Sequence, residues 1–222
     1  MNTLKTILIF LPLILLKNDS AKSYYFQLSD FTESKVYKYE CISDSSKTEY
    51  WKLTSVLNDN TLITEAYSSD FRKYEFFKEE FTKDGSKVLE FVSYPLNKSG
   101  KTEIINKTLK ELDVFKWEKE KNYKYSSEYN DRIYGKISFE KIRTFIGKEK
   151  ISILGRVYKV LKFKGIYKTE IPLAKYKYEY QQFSYYAKGI GLVKMEKKYT
   201  DGTAMVLELT EIISSDDWQN RQ

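Results

Sequence analysis

The sequence contains no histidine, one cysteine and only three prolines in 222 residues. Histidine is the commonest general base and metal ligand, so its absence removes the usual base for catalysis and excludes zinc sites of the Cys/His type. Cys41 has no second cysteine to pair with, so the fold must depend on packing without an intramolecular disulfide. The chain also lacks a G-x-S-x-G serine motif and a D-x-D-x-D-G calcium loop. We therefore predict a non-enzymatic protein with no metal and no cofactor.

The N-terminus has the order of segments that is typical of a secretory signal peptide. Lys5 precedes an apolar run at residues 7–16, and the small residues Ser20 and Ala21 follow in a polar stretch. The run is too short to cross about 30 Å of hydrocarbon, which takes roughly 20 residues. We predict that residues 1–21 are a signal peptide, with a retained N-terminal anchor as the alternative. No cysteine directly follows the apolar run, which argues against a lipid-anchored lipoprotein. The expected location is periplasmic or extracellular.

The rest of the chain is predicted to form a single β-rich domain, residues 22–213, with a polar C-terminal tail at 214–222. No linker rich in glycine, proline or serine divides it. The formal net charge is +7, but the basic residues are spread along the chain. Nucleic-acid binding needs them concentrated on one face, so we predict no nucleic-acid partner.

Alternation of apolar and polar residues is the main structural signal. Tyr37, Tyr39 and Cys41 fall on one face of a period-two pattern, which is typical of a strand. Asp84-Gly85 and Asp201-Gly202 predict tight hairpins in which glycine supplies a positive φ, and a further turn is predicted at 147–150. Ten to twelve strands at this spacing favour a mainly β fold, one large curved antiparallel sheet forming a half-barrel or open barrel. Residues 101–115 have apolar residues at helical spacing and predict one of one or two short helices on the concave side.

Aromatic residues are abundant, with 20 tyrosines, 13 phenylalanines and three tryptophans. Most are expected in the core, because aromatic side chains bury large areas in β proteins. Two further interpretations remain open: a groove that holds an apolar or sugar ligand, or an exposed stripe that binds a partner protein. The candidate ligand-binding residues are Trp51, Tyr74, Phe76, Trp117, Tyr176, Tyr178 and Tyr180.

Two other motifs carry less weight. Residues 99–102 read Ser-Gly-Lys-Thr, like the end of a phosphate-binding loop, but Pro95 occupies the position of the first glycine and has no amide hydrogen. Carboxylate-based hydrolysis would need two carboxylates facing each other. We interpret strand glutamates such as Glu79 and Glu90 as ordinary exposed residues, so a hydrolase is the third and least favoured hypothesis.

The segment YYAKGIGLVKMEKKYTDGTAMVLELTEI, residues 185–212, resembles secreted proteins of unknown function common in Bacteroidetes-type bacteria. The residues that match are Tyr186, Ala187, Lys188, Gly189, Gly191, Leu192 and Val193. The resemblance covers roughly the last third of the chain, and residues 154–157 depart from the Gly-Thr-Phe turn that is frequent in the group. That group is similar to the half-barrel of lipoprotein-carrier and related lipid-binding periplasmic proteins. The resemblance implies a curved sheet that wraps a helix and encloses an apolar cavity.

The first functional hypothesis is therefore an exported protein that binds an apolar small molecule or lipid in the concave face of its sheet. The alternative is a cell-envelope or extracellular interaction module with a filled core and an envelope protein as partner. An open cavity in the structure would favour the first hypothesis, and a filled interior would favour the second.

Overall fold

The computed structural model describes residues 20–119 and 121–221. The predicted signal peptide, apart from Ser20 and Ala21, lies outside these residues. In the described part, no helix is both long enough and apolar enough to cross a membrane. The strands are β1 (Lys35–Cys41), β2 (Glu49–Val56), β3 (Thr61–Tyr67), β4 (Lys73–Phe81), β5 (Gly85–Ser93), β6 (Ile105–Asn106), β7 (Thr108–Lys116), β8 (Tyr123–Asp131), β9 (Gly135–Ile153), β10 (Arg156–Ile171), β11 (Tyr176–Ala187), β12 (Gly191–Tyr199) and β13 (Ala204–Ser214), followed by helix α1 (Ser215–Gln219).

The sheet is antiparallel throughout and closes on itself. Its order is β4-β3-β2-β1-β13-β12-β11-β10-β9-β8-β7-β5-β6, and pairing of β4 with β5 joins its two sides into a barrel of twelve strands, with β6 added beside β5. This confirms the mainly β prediction. Every barrel strand has two neighbours, but residues 144–153 of β9 extend past the end of β8 and pair only with β10. Tyr37, Tyr39 and Cys41 are all buried on the inner face, as their alternation predicts.

One end of the barrel is closed by residues 20–32, which we call the plug. It contains two short 3₁₀ turns, Ala21–Tyr24 and Leu28–Phe31, and it buries Tyr25, Phe26 and Phe31. The Ala21 N–H donates to the Trp117 carbonyl (3.0 Å), and the Gly189 N–H donates to the Ser23 carbonyl (3.0 Å). These bonds attach the plug to the β7–β8 and β11–β12 turns. The opposite end, the mouth, is formed by the turns at 42–48, 68–72, 94–104, 132–134, 172–175 and 200–203.

The predicted helix at 101–115 is wrong. These residues include β6 and most of β7, and Ile104 and Leu112 of the supposed apolar face are 70% and 38% exposed. β7 instead pairs with β8 and, at the plug end, with β5. Burial of the adjacent Val114 and Phe115 within that sheet outweighs a weak helical periodicity.

The turn predictions are partly right. Gly202 has φ +84° in its hairpin, as expected, whereas Gly85 is not in the left-handed region. Gly85 is required for space, since a β-carbon there would lie 2.1 Å from the Phe115 carbonyl oxygen. The turn predicted at 147–150 is wrong: β9 continues to Ile153, and the chain reverses at residues 154–155. Gly147 lies instead at a β-bulge opposite β10.

The residues after β13 read as a polar tail, yet they pack on the outside of the barrel. The Ser214 hydroxyl caps α1 by accepting from the Asp217 N–H (3.1 Å). Trp218 is 2% exposed and packs its ring against Tyr50, Tyr67 and Phe71.

Candidate ligand cavity

The barrel encloses a cavity of about 460 Å³ between the plug and the mouth. Its walls combine aromatic rings with charged groups. The strand period places these side chains inside, because alternate residues of each strand face the interior. The charged residues are Glu49, Glu75, Glu79, Lys107, Lys141, Arg143 and Lys197, and the aromatic ones include Trp51, Tyr74, Phe77, Phe91, Tyr125, Phe139, Tyr167 and Tyr180.

Three of the seven predicted ligand-binding residues, Trp51, Tyr74 and Tyr180, line this cavity. Tyr74 does so because the β3–β4 register shifts there: Ala66 pairs with Glu75 and Tyr67 pairs with Lys73, so Tyr74 is an extra residue. Its hydroxyl donates to the Glu49 carboxylate (3.0 Å).

The other four predicted residues lie away from the cavity. Phe76 alternates with the inward-facing Glu75, and the Lys73 ammonium lies 5.4 Å from its ring. Trp117 packs in the core beside the plug, where its indole N–H donates to the Thr82 carbonyl (3.0 Å). Tyr176 and Tyr178 lie closer to the mouth, with ring centroids 6.4 Å apart. Contact of any of the seven with a ligand stays a prediction.

The acidic groups of the cavity come mainly from β4. Glu79 is 2% exposed, so its interpretation as an exposed strand residue is wrong. Its carboxylate accepts from the Tyr25 hydroxyl (2.9 Å to each oxygen) and the Ser86 hydroxyl (2.9 Å). Burial nevertheless raises the pKa of Glu79 to about 7, because the protein replaces water around the charged form.

Two further carboxyl groups differ from each other in their surroundings. Burial, followed by the nearby negative charge of Glu49, raises the pKa of Glu75 to about 7. Within the described part of the chain, the carboxyl group of Glu75 has no hydrogen bond or ion pair. Glu49 accepts from the Trp51 indole (3.1 Å) and lies 3.3 Å from the Lys197 ammonium.

Three of the four basic groups come from β9 and the β6–β7 link, and Lys197 comes from β12. Lys141 and Arg143 occupy consecutive inward positions of β9. The Lys141 ammonium lies 4.7 Å from the Tyr167 ring centroid, and burial, followed by the charge of Arg143, holds the pKa of Lys141 well below its usual range. The Lys107 ammonium lies 4.0 Å from the Tyr129 ring centroid, and burial lowers its pKa as well.

Arg143 is the most deeply buried of these cations, at 4% exposure. One terminal nitrogen, Nη1, donates to the Tyr186 hydroxyl (2.9 Å), and the Nε–H has no acceptor among the described residues. None of Lys107, Lys141 and Arg143 forms an ion pair with a described carboxylate, in contrast to Lys197.

Basic side chains outnumber carboxyl groups in the cavity by four to three. Burial raises the pKa values of Glu75 and Glu79 to about 7 and lowers those of Lys107 and Lys141, so it weakens charge of both signs. The described residues contain no cluster of acidic and cysteine side chains that could hold a metal. The arrangement is suited to binding an anion beside aromatic rings.

Sequence reasoning missed the charged half of this site. The signal was present in the period-two pattern, which places Glu75, Phe77 and Glu79 on one face of β4 and Phe139, Lys141 and Arg143 on one face of β9. Charges were interpreted as solvent-facing, whereas here they share the inward face with aromatic residues.

Three solved structures resemble this fold. A protein from Parabacteroides distasonis, provisionally described as a lipoprotein, aligns with a TM-score of 0.52 and 12% identity over 85% of this chain and 97% of its own. The hypothetical lipoprotein YmcC from Escherichia coli K12 aligns with a TM-score of 0.40 and 11% identity, covering 85% of this chain and 90% of its own. A Bacteroides fragilis protein, provisionally described as exported and as having a YmcC-like fold, gives 0.34 and 11%, covering 82% and 96%.

Only the first of these similarities supports an argument, and at such identity it concerns the fold alone. None of the three supports the likeness to lipoprotein carriers that the sequence resemblance implied. No family model matches the sequence, and no curated protein matches it significantly.

Proposed function

We propose that this chain is an exported, non-enzymatic binding protein whose barrel holds a small amphiphilic anion. The ligand has an aromatic or aliphatic body and a carboxylate or phosphate group. The observation that carries the proposal is the pair Lys141 and Arg143, which line the cavity without a carboxylate partner. The signal-like N-terminus and the description of the Parabacteroides distasonis structure as a lipoprotein support export.

The size of the cavity favours a ligand over a filled core. Small-molecule pockets typically measure about 300–1,000 Å³, and this one measures about 460 Å³. An interaction module with a filled interior would have no need of this space, so the binding hypothesis is the better supported of the two.

The charged groups favour an amphiphile over a wholly apolar ligand. An apolar molecule would displace water from Lys141 and Glu75 and leave both groups without a hydrogen-bond partner. Each such loss costs about 1–3 kcal/mol, and more where the group is charged. A ligand with an anionic end avoids this cost at Lys141, and its body gains contacts with the rings of Tyr125, Tyr167 and Tyr180.

The first experiment is mass spectrometry of organic and aqueous extracts of the protein purified from its native compartment. A stoichiometric amphiphilic anion, absent from extracts of a control exported protein, is expected. A clean extract from folded protein, together with failure to bind the probes described next, would overturn the proposal.

Probe binding separates the role of charge from that of apolar contact. Anilinonaphthalene sulfonate carries an anionic group on an aromatic body, whereas Nile red is uncharged. Lys141→Met keeps most of the unbranched side chain but removes the ammonium group. It is expected to weaken sulfonate binding about tenfold, as loss of one charged hydrogen bond predicts, with little effect on Nile red. Lys159→Met, at an exposed position of β10, is the matched control. Equal effects of the two variants on the sulfonate would contradict the proposed anion site.

A carboxylate-based hydrolase remains a second candidate because Glu75 and Glu49 line the same cavity. Glycoside hydrolysis uses one carboxyl group with a raised pKa, as Glu75 has, and a second carboxyl group, a place that Glu49 beside Lys197 could take. Release of nitrophenol from nitrophenyl glycosides, lost in both Glu75→Gln and Glu49→Gln, would support this candidate. Absence of turnover in the wild-type protein would eliminate it for those substrates.

A further inference from the structure

Large apolar side chains are exposed at the tips of the turns around the mouth. Ile104 is 70% and Leu173 is 73% exposed, although they lie in turns far apart in sequence. Ile133, Tyr134 and Tyr176 are also exposed at this end. We call these five residues the mouth patch.

The three turns that carry the mouth patch lie side by side. Ile104 and Arg132, the residue before Ile133, line one surface groove. A methyl carbon of Leu173, Cδ2, lies 3.8 Å from the position that a β-carbon would occupy on Gly135, the residue after Tyr134. Three separate hairpins therefore bring their apolar tips to one surface.

Basic residues accompany each of these tips. Lys101 precedes Ile104 by three positions, Arg132 directly precedes Ile133, and Lys175 follows Leu173 by two. None of the three bases forms an ion pair with a described residue. Three acidic residues lie in the same segments: Asp131 accepts from the N–H groups of the 132–134 turn, Glu103 accepts from the Asn97 amide (3.4 Å), and Glu170 pairs with Lys177 (3.1 Å). Five basic residues outnumber these three across residues 98–104, 131–134 and 170–177.

We propose that the mouth patch docks on the surface of an anionic lipid bilayer. Apolar side chains beside lysine or arginine are the combination that binds a membrane interface, where the chains enter the head-group region and the cations contact anionic lipids. A partner protein with an apolar surface would not require a cation beside every tip. Docking turns the mouth of the barrel toward the bilayer.

A stack of tyrosines connects the patch with the cavity. Tyr178 lies between Tyr176 of the patch and Tyr180, with centroid distances of 6.4 and 5.8 Å. Tyr180 stacks on Tyr167 at 4.6 Å, and both line the cavity. An amphiphile in the bilayer would thus reach the cavity along aromatic surface. This link rests on the proposed function, whereas docking itself does not.

Co-sedimentation with phosphatidylcholine vesicles, with and without phosphatidylglycerol, tests the docking. We expect binding only when the anionic lipid is present, and a decrease with added salt. Replacing Arg132 or Lys175 with glutamine should weaken binding by roughly fivefold each. Lys83→Gln, in the β4–β5 turn at the plug end, is the matched control and should have no effect.

The apolar tips are tested in the same way. Ile104→Asp and Leu173→Asp should abolish sedimentation, whereas Val157→Asp should not, because Val157 is also 70% exposed but lies at the plug end. In a Leu173→Trp variant, brominated lipids should quench the new fluorescence, measured against the same variant with non-brominated vesicles.

Three results would overturn the docking proposal. They are failure of the wild-type protein to sediment with anionic vesicles, equal losses in Ile104→Asp and Val157→Asp, and absence of quenching in Leu173→Trp. Each is independent of the cavity, because probe binding by the wild-type and Lys141→Met proteins is measured without lipid. Failure of docking and failure of the proposed function can thus be told apart.

Discussion

Replacing the buried Glu79 with glutamine should make the protein more stable at alkaline pH and leave its stability at acidic pH nearly unchanged. The pKa of this carboxyl rises from its usual 4.5 to about 7 because burial disfavours the charged form. Between these two values the folded protein binds more protons than the unfolded chain. The free energy of unfolding therefore falls as the pH rises through this window, and the loss is complete above pH 7.

The expected magnitude follows from the two pKa values. Each pKa unit corresponds to 1.36 kcal/mol, so ionised Glu79 costs the folded state about 3 kcal/mol at pH 8. Glutamine removes this cost but accepts a weaker bond from the Tyr25 hydroxyl, which offsets about 1 kcal/mol. Glu79→Gln should therefore gain about 2 kcal/mol at pH 8 and nothing, or a small loss, at pH 5.

Urea denaturation of both proteins at pH 5 and pH 8 measures the effect. The difference between variant and wild type cancels the contribution of Glu75, which has a similarly raised pKa. Glu90→Gln, at an exposed position of β5, is the control and should have the same pH dependence as the wild type. If Glu79→Gln also kept that dependence, Glu79 could not be buried as the structure places it.

Three further predictions concern the plug and the outer face of the barrel. Gly191→Ala should cost about 3 kcal/mol of stability, because φ at this position is +97° and the new β-carbon would lie 2.3 Å from the Phe26 ring. Gly189→Ala has open space around the new β-carbon and should cost only about 1 kcal/mol. Equal melting temperatures for the two variants would disprove the close contact with Phe26. Trp218→Ala should cost about 3 kcal/mol in urea denaturation if α1 is packed on the barrel, and a change below about 0.5 kcal/mol would show that it is not. A chain that begins at residue 22 should melt at a lower temperature than one that begins at residue 20, because it lacks the fully buried Ala21 and its bond to the β7–β8 turn; equal melting temperatures would contradict this.

The sequence was sufficient to predict the strands and the antiparallel sheet, because strand alternation is a local pattern. Residues such as Tyr37 and Tyr39 follow it over their whole strand. Closure of the barrel could not be predicted in this way, since it requires the first strand, β1, to pair with the last, β13, and no local pattern indicates a partner so far along the chain. The segment 101–115 failed for a related reason: its apolar spacing fits a helix, but its neighbours in the sheet decide its structure.

The candidate site was only partly predictable, because each strand residue was assigned to the inner or outer face of the sheet from its polarity. Trp51 and Tyr180 were found as aromatic members of alternating strands. Lys141 and Glu75 were missed, because a charged residue in a strand usually faces solvent. The inward position of these two residues can be inferred only from the aromatic residues on the same face of the strand. Tyr74 faces inward because of a β-bulge, which no sequence pattern predicts.

The charged interior and the number of strands support the same interpretation. A barrel of about eight strands is just wide enough for its own side chains to fill, whereas this one has twelve. The plug fills one end with Tyr25, Phe26 and Phe31. If the remaining space were empty, it would lower the stability of the protein, because protein interiors are close-packed. Inward-facing Lys141 and Glu75 would be costly too if that space were dry. Both features are tolerable when the space holds water that a ligand with a polar end can replace, so the width of the barrel and the chemistry of its wall independently favour binding over a filled core.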